Sequence, residues 1–586
     1  MTFPYLVLSA SAAGLESALS AAAAALRAAG WIRRDDDQGN NGDHSDLQVW
    51  TTGQAPVARL PDGRGWRLGW SFPRGGSAAP ADPSAGTPLA CAERLCRDTW
   101  GGYVAVLRGA TGAAHALRDP SGALEAYTWR AGPLAVLASG LEVTPAALRP
   151  DRLALDWAVV AAMLASPFGT ASLSGLGGVS AVTAGTLQPL GAPAADAQAA
   201  WRIARLAGRP RQTDPAWAGR LLSAVRTAVT AEAASHARLL AEVSGGLDSA
   251  MVLACLAAGG FAGRVVGALH YVGDREESDE RDWAGRVAGH WGVPLTCVTR
   301  VVGDLDPERD FAGLCEGARP PFAALDAWRD ADVAARLAAS GASAVFTGMG
   351  GDASLFQIPT ARVLADLFAD RGPRALADPL GLGMARWLRR SVWSVWAEAL
   401  RSLRRETAAA ALAFAAPAVR AAHAGPTHPW ILAARDLPPA RRLQVASLAG
   451  LQLIRGPDRR STLAARVHPL LSQPVMEAAL EIPVWGLVAG GRGRGLARDA
   501  FAPLLPPEIA GRTSKGGLTS LYSRRLAAGA ERLRPYLLDG ALAAAGLLDR
   551  TRVDAALSPE ALIRRNDGLA LVRVAALEAW VRSWGG

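Results

Sequence analysis

The sequence is almost without lysine. Lys515 stands alone among 62 Lys+Arg residues, so arginine carries nearly all the positive charge. Together with abundant alanine this reads as a coding bias against lysine, which gives the position of the survivor its interest. Cysteine is scarce as well: Cys91, Cys96, Cys255, Cys297 and Cys315, an odd number in 586 residues, with no CxxC pair. That excludes a disulfide framework and a structural zinc site of the usual spacing, and it points to a reducing compartment. The eight histidines include no HExxH or comparable metal spacing. No run of five basic residues occurs, so a net charge of +9 describes a mildly basic surface suited to an anionic substrate such as a nucleotide. No apolar stretch reaches the roughly 18 residues of a membrane span; the best, Leu153 to Ala165, is broken by Asp156. The start, Met1-Thr2-Phe3-Pro4-Tyr5, lacks the basic segment of a secretory signal. These absences predict a cytoplasmic protein with neither nucleic acid nor membrane as partner.

What is present is the composition of a folded chain. Hydrophobic residues make up 50% and charged residues 20%, which excludes wholesale disorder and allows one or more sizeable cores. Short β-like runs at Tyr5–Leu8, Leu47–Thr51, Tyr103–Leu107, Ala114–Leu117 and Leu134–Ala138 predict a β-rich N-terminal part, with a helix over Gly14–Ala29. Asp35 to Asp46 and Gly75 to Pro88 read as exposed loops, and Gly191–Ala195 with Gly208–Asp214 as linker. After about residue 215 the texture changes. Strand-like runs at Leu239–Val243, Val265–Tyr271, Leu295–Val298 and Ala344–Thr347 alternate with helical patterns at Ala216–Ala237, Ser249–Ala258, Glu280–His290 and Trp328–Ala339. That alternation predicts a parallel sheet covered by helices. Beyond about residue 375 the pattern is mostly helical, and the segment Leu376 to Leu453 reads as packing and cavity wall.

Two loops carry the chemistry. Ser244-Gly245-Gly246-Leu247-Asp248-Ser249 follows the first of these strands and opens a helix. A glycine-rich turn at a helix N-terminus gathers backbone N–H groups on an anion. Serine hydroxyls at both ends can donate to phosphate oxygens. An aspartate inside such a loop repels phosphate unless a cation intervenes, so Asp248 implies Mg²⁺. The loop is not a Walker A sequence, since the Gly-Lys-Ser/Thr ending is missing. The second loop, Thr347-Gly348-Met349-Gly350-Gly351-Asp352, follows the strand Ala344–Phe346. Loops at the carboxyl ends of neighbouring parallel strands converge on one crevice, where Asp352 would share the metal with Asp248. The bland alternative for each is a tight glycine turn with a solvated aspartate. A third feature, Arg492–Arg498, is either a grip for carboxylate or phosphate or a solvated basic turn.

The two loops resemble those of the synthetase domain of the asparagine synthetase family, a branch of the PP-loop ATP pyrophosphatases. Arg466-Val467-His468-Pro469-Leu470-Leu471, with Pro474-Val475, is similar to a further element of that family, and Arg512-Thr513-Ser514-Lys515-Gly516-Gly517 to its R-x-x-K-x-G loop. Arg118-Asp119-Pro120-Ser121-Gly122, Tyr127 and Ala138-Ser139-Gly140-Leu141-Glu142 resemble its N-terminal region. The resemblance implies an α/β protein in two parts: a glutaminase-like (Ntn-type) α/β sandwich over 1–200 and a PP-loop, adenine-nucleotide α-hydrolase-like synthetase domain with helical additions over 215–586. It implies that Val243, Ser244, Gly245, Gly246, Leu247, Asp248, Ser249, Thr347 and Gly348 bind ATP and pyrophosphate. Asp248 and Asp352 would hold Mg²⁺, and Lys515 would act on the reacting phosphates.

Two departures narrow the branch. The family's amidotransferases need a cysteine after the initiator methionine, and this chain has Thr2, so the N-terminal part reads as a glutaminase relic. Where asparagine synthetases place glutamate and β-lactam synthetases tyrosine, this chain has Met349, which cannot accept a proton. An α-amine, with a pKa of about 7.7–8.0, needs little help from a base. The combination resembles the lasso peptide cyclases, as do His468–Glu477 and Gly490–Arg498. That resemblance implies a leader-free ribosomal precursor peptide as substrate, adenylated on an Asp or Glu side chain and closed by its N-terminal amine. It also implies a leader-cleaving protease and a leader-recognition protein as partners. The alternatives are a β-lactam or other small-molecule amide synthetase, and a non-catalytic nucleotide-binding scaffold.

Overall fold

The computed structural model describes residues 3–10, 16–34, 46–53, 55–60, 65–74, 86–109, 112–166, 168–208, 214–273, 279–404, 414–423, 427–512, 519–564 and 567–585. Up to residue 199 the chain builds two six-stranded sheets. One contains Tyr5–Ser9, Leu47–Thr51, Tyr127–Ala131 and Leu134–Ala138 at its centre; the other contains Gly65–Pro73, Thr99–Arg108 and Ala114–Arg118. The pairs within both are antiparallel. The strand Tyr5–Ser9 shows why this region reads as unbroken apolar runs. Tyr5 and Val7 meet Val104 and Val106 of the facing sheet, while Leu6 and Leu8 face Leu19 and Leu26 of the helix Glu16–Ala28. Alternate side chains point to opposite faces, and here both faces are covered.

The second region holds a five-stranded sheet: β1 (Leu239–Glu242), β2 (Val265–Val272), β3 (Leu295–Thr299), β4 (Ala344–Phe346) and β5 (Ala465–Val467). Every pairing is parallel, in the order β3-β2-β1-β4-β5. Helices α1 (Trp217–Ala234), α2 (Leu247–Ala258), α3 (Arg281–His290) and α4 (Ala327–Ser340) accompany it. Leu239 and Ala241 enter a core with Val225, Val229 and Met251 of α1 and α2. Leu240 and Val345 face Val333 and Leu337 of α4 on the other side. The chain lays β2 and β3 on one side of β1, then returns to lay β4 and β5 on the other. The order therefore reverses between β1 and β4, the place where open α/β sheets form a ligand crevice.

The four expected strands and helices of this sheet are found within a few residues of their expected ends. Two differences matter. Helix α2 begins at Leu247 rather than Ser249, which puts Asp248 in its first turn. The edge strand β5 is only Ala-Arg-Val, too short to display an alternation. Gly191–Ala195, read as linker, lies inside the second antiparallel sheet: it connects Thr186–Pro189 to Gln198–Ala199 through a short 3₁₀ turn. Gly191 N–H donates to Thr128 Oγ1 at 2.7 Å, a bond that ties the turn to the sheet. Residues 35–45, 75–85 and 209–213 of the other loop readings fall outside the described residues. The two regions meet at Glu477, which pairs with Arg74 (2.6 Å) and accepts from Trp201 Nε1 (2.7 Å). Among the described residues, no helix is long and apolar enough to cross a membrane.

Candidate active site

The loop after β1 is shaped by its own serines. Ser244 N–H donates to Ser249 Oγ at 3.1 Å, Gly246 N–H donates to Ser244 Oγ at 3.3 Å, and Ser249 Oγ donates to Gly246 O at 3.2 Å. Ser249 is buried and Ser244 exposed, so the hydroxyl presented at the surface of the loop is that of Ser244. Val243 and Leu247 are buried on either side. His270 Nδ1 donates to Val243 O at 3.0 Å and fixes the strand end. The first turn of α2 then carries Asp248, with the unpaired N–H groups of the helix start around it.

The loop after β4 lies directly on this one. A Cβ added to Gly348 would stand 2.4 Å from Ser249 N, and one added to Gly351 would stand 2.4 Å from Asp248 Cγ. A side chain at Gly348 would part the loops, and one at Gly351 would push the Asp248 carboxylate aside. The two sequence motifs, far apart in the chain, thus form one site at the reversal of strand order. Thr347 Oγ1 accepts from Met349 N–H (3.1 Å) and lies 2.7 Å from His468 Nδ1, at the end of β5. Burial and the nearby Arg455, Arg466, Arg460 and Arg329 push His468 well below the usual histidine range. It is therefore a neutral support for the loop rather than a charge. Met349 itself is 40% exposed, at the rim.

A residue that sequence reasoning left inside a basic stretch occupies the centre. Arg494 Nη1 bonds to Asp248 Oδ2 and, at 2.9 Å, to Asp352 Oδ1. Its side chain is 5% exposed, against 13% for Asp248 and 49% for Asp352. Of the two readings of Arg492–Arg498, the solvated turn therefore does not describe Arg494. Arg498 is buried, and burial with its neighbours Arg494 and Arg492 draws it down to about 10. Arg512 joins the site from the far side: Nη1 donates to Gly245 O at 3.0 Å, Nη2 pairs with Glu280, and the guanidinium stacks over Trp283 at 4.6 Å. The signal for Arg494 was the glycine on either side of it. Arg512 stood in a quoted motif, and Glu280 had no local signal. Lys515 lies outside the described residues.

The chemistry of the carboxylates suits Mg²⁺. Two hard oxygen donors come from different strand ends and are close enough to share one cationic nitrogen. Mg²⁺ is commonly held by one or two carboxylates plus substrate phosphates. No cluster of three or more potential metal ligands occurs among the described residues, so the protein's share would be these two.

A glycine-rich loop, a helix N-terminus and paired carboxylates at the switch point of a parallel sheet are an arrangement suited to binding a nucleotide's phosphates. A model of the asparagine synthase family matches residues 220–582, well over half of the chain, and the chain belongs to that family. It is an ATP-dependent amide-forming ligase. No curated protein matches it.

Proposed function

We propose that the enzyme closes a macrolactam in lasso peptide maturation. An Asp or Glu side chain of the leader-free precursor attacks the α-phosphorus of ATP and pyrophosphate leaves. The peptide's own N-terminal amine then attacks the acyl adenylate, forming the isopeptide bond and releasing AMP. Ser244 and the N–H groups of the first loop bind the phosphates. Asp248 and Asp352 hold Mg²⁺, which neutralises charge on the phosphates when bound. Lys515 stabilises charge developing at the α-phosphate. The region 1–200 serves as a glutaminase-like relic ahead of the synthetase domain over 215–586, and the enzyme works in the cytoplasm with the leader-cleaving protease and leader-recognition protein.

The observation that carries this reading is Met349, exposed at the rim where a proton acceptor would serve a nucleophile of high pKa. A thioether takes no proton, whereas an α-amine is already partly neutral near pH 7. That favours an α-amine over the amine of a β-lactam precursor. The test is incubation of the purified protein with Mg²⁺, ATP and a linear core peptide. Loss of one water's mass, with one AMP and one pyrophosphate per ring, supports the reading. ADP and phosphate as products, or an unchanged peptide beside released pyrophosphate, would refute it.

A further inference from the structure

One guanidinium nitrogen stands within bonding distance of both carboxylates that the Mg²⁺–ATP assignment needs. We propose that Arg494 is an internal counter-ion that competes with the divalent cation for Asp248 and Asp352, so that the cation binds well only when the nucleotide's phosphates accompany it. The proposal rests on the crevice being the Mg²⁺–ATP site.

Charge supplies the reason. Arg494 offsets one unit of the two carboxylates' negative charge, and its Nη1 stands between them where a cation would bind. A bare divalent ion would have to displace a buried, charge-assisted pair and would meet the guanidinium's charge nearby. An ion arriving with a polyphosphate brings the anion that the freed guanidinium can turn to. The backbone keeps that side chain local. Arg494 N–H donates to Phe356 O at 3.1 Å, and Arg494 O accepts from Arg498 N–H at 3.0 Å. Arg494 also holds φ = 56°, a left-handed conformation that a non-glycine residue keeps only where its surroundings enforce it. Arg494 is thus a positioning residue: it holds two carboxylates together ahead of the metal and keeps them from binding metal alone.

The probe is Mn²⁺, followed by electron paramagnetic resonance with the full chain and no nucleotide. Arg494→Met keeps the length and removes the charge. We expect this variant to bind Mn²⁺ about ten- to a hundredfold more tightly than the wild type, the factor that one charge-assisted hydrogen bond represents. Adding Asp352→Asn should reverse the gain. Equal Mn²⁺ affinity in wild type and variant, or no Mn²⁺ binding by either, would overturn the proposal. Should Arg494→Met not fold, the wild type decides: saturating Mn²⁺ should speed hydrogen exchange at Arg494 and Gly495, and unchanged exchange would overturn it. Neither arm contains peptide or follows turnover. Tighter Mn²⁺ binding alongside a failure to cyclise peptide would therefore remove the proposed function and leave this inference standing.

Discussion

The N-terminal sandwich and the parallel-sheet crevice each contain a motif of arginine and aspartate, and they use it in opposite ways. Arg118 is 2% exposed and donates to Leu124 O (2.6 Å), Gly122 O (2.8 Å) and Val182 O (3.1 Å). Asp119 is fully buried and accepts from Ser121 N–H (2.7 Å) and Tyr103 N–H (3.3 Å). Burial lifts its pKa to about 6. These bonds close a turn inside the sandwich. In the crevice, the arginine is equally buried but bonds carboxylates from two separate loops, and Asp352 remains half-exposed. Residue types alone do not separate a structural motif from a chemical one; the identity of the partners and the way the polar atoms face do.

That contrast can be broken by substitution. The largest effect belongs to the crevice: Asp248→Ala and Asp352→Ala should each abolish peptide-dependent pyrophosphate release, measured with a coupled phosphate assay, while leaving the fold intact. Full release by either variant would remove the metal assignment. Arg118→Met should do the reverse. Three buried carbonyl acceptors would lose their donor while Glu125 keeps Arg319, which should cost about 3 kcal/mol in urea unfolding, with turnover per folded molecule preserved. A loss of turnover at unchanged stability would move Arg118 into the chemistry.

Lys515→Arg comes next. A planar fork cannot replace a compact ammonium at developing charge, so we expect a loss of about 10²–10³ in turnover. ATP binding, measured by calorimetry, should change little. Near-normal cyclisation would make the lone lysine incidental.

Smaller still is the response to acid. Burial lowers His428 to about 3 and His468 well below its ordinary value. Both are neutral when folded and take a proton near pH 6.5 when unfolded. The stability they contribute is therefore complete above about pH 6.5 and is lost as pH falls below it, at about 2 kcal/mol for His428 by pH 5. The melting temperature should fall between pH 7 and pH 5, and His428→Gln should flatten that slope; an unchanged slope would count against it. The smallest effect expected is none: if region 1–200 is a glutaminase-like relic with Thr2 in place of the cysteine, glutamine and ATP should yield no glutamate above a heat-killed control.

Much of the sheet was legible because β1 to β4 are apolar runs set between helical periods, and both motif loops because glycine clusters mark strand ends. The edge strand β5 was hidden by its brevity, and the turn Gly191–Ala195 by a composition that serves linkers and hairpins alike. Within the site, Asp248 and Asp352 were readable from their loops. Their joint contact with Arg494 was not, since it joins positions 142 and 246 residues apart in the chain. His468 stood in a quoted motif, yet its part in supporting Thr347 exists only once β4 and β5 are neighbours.

Adenylation of the peptide's own carboxylate in the crevice between the two loops would leave a chemical trace in the products. Heavy-oxygen labelling of the acceptor side chain tests it most directly. Product AMP should carry one labelled oxygen per ring closed, and the Asp248→Ala enzyme should give none. Label appearing in inorganic phosphate beside ADP, or AMP without label during ring closure, would contradict it.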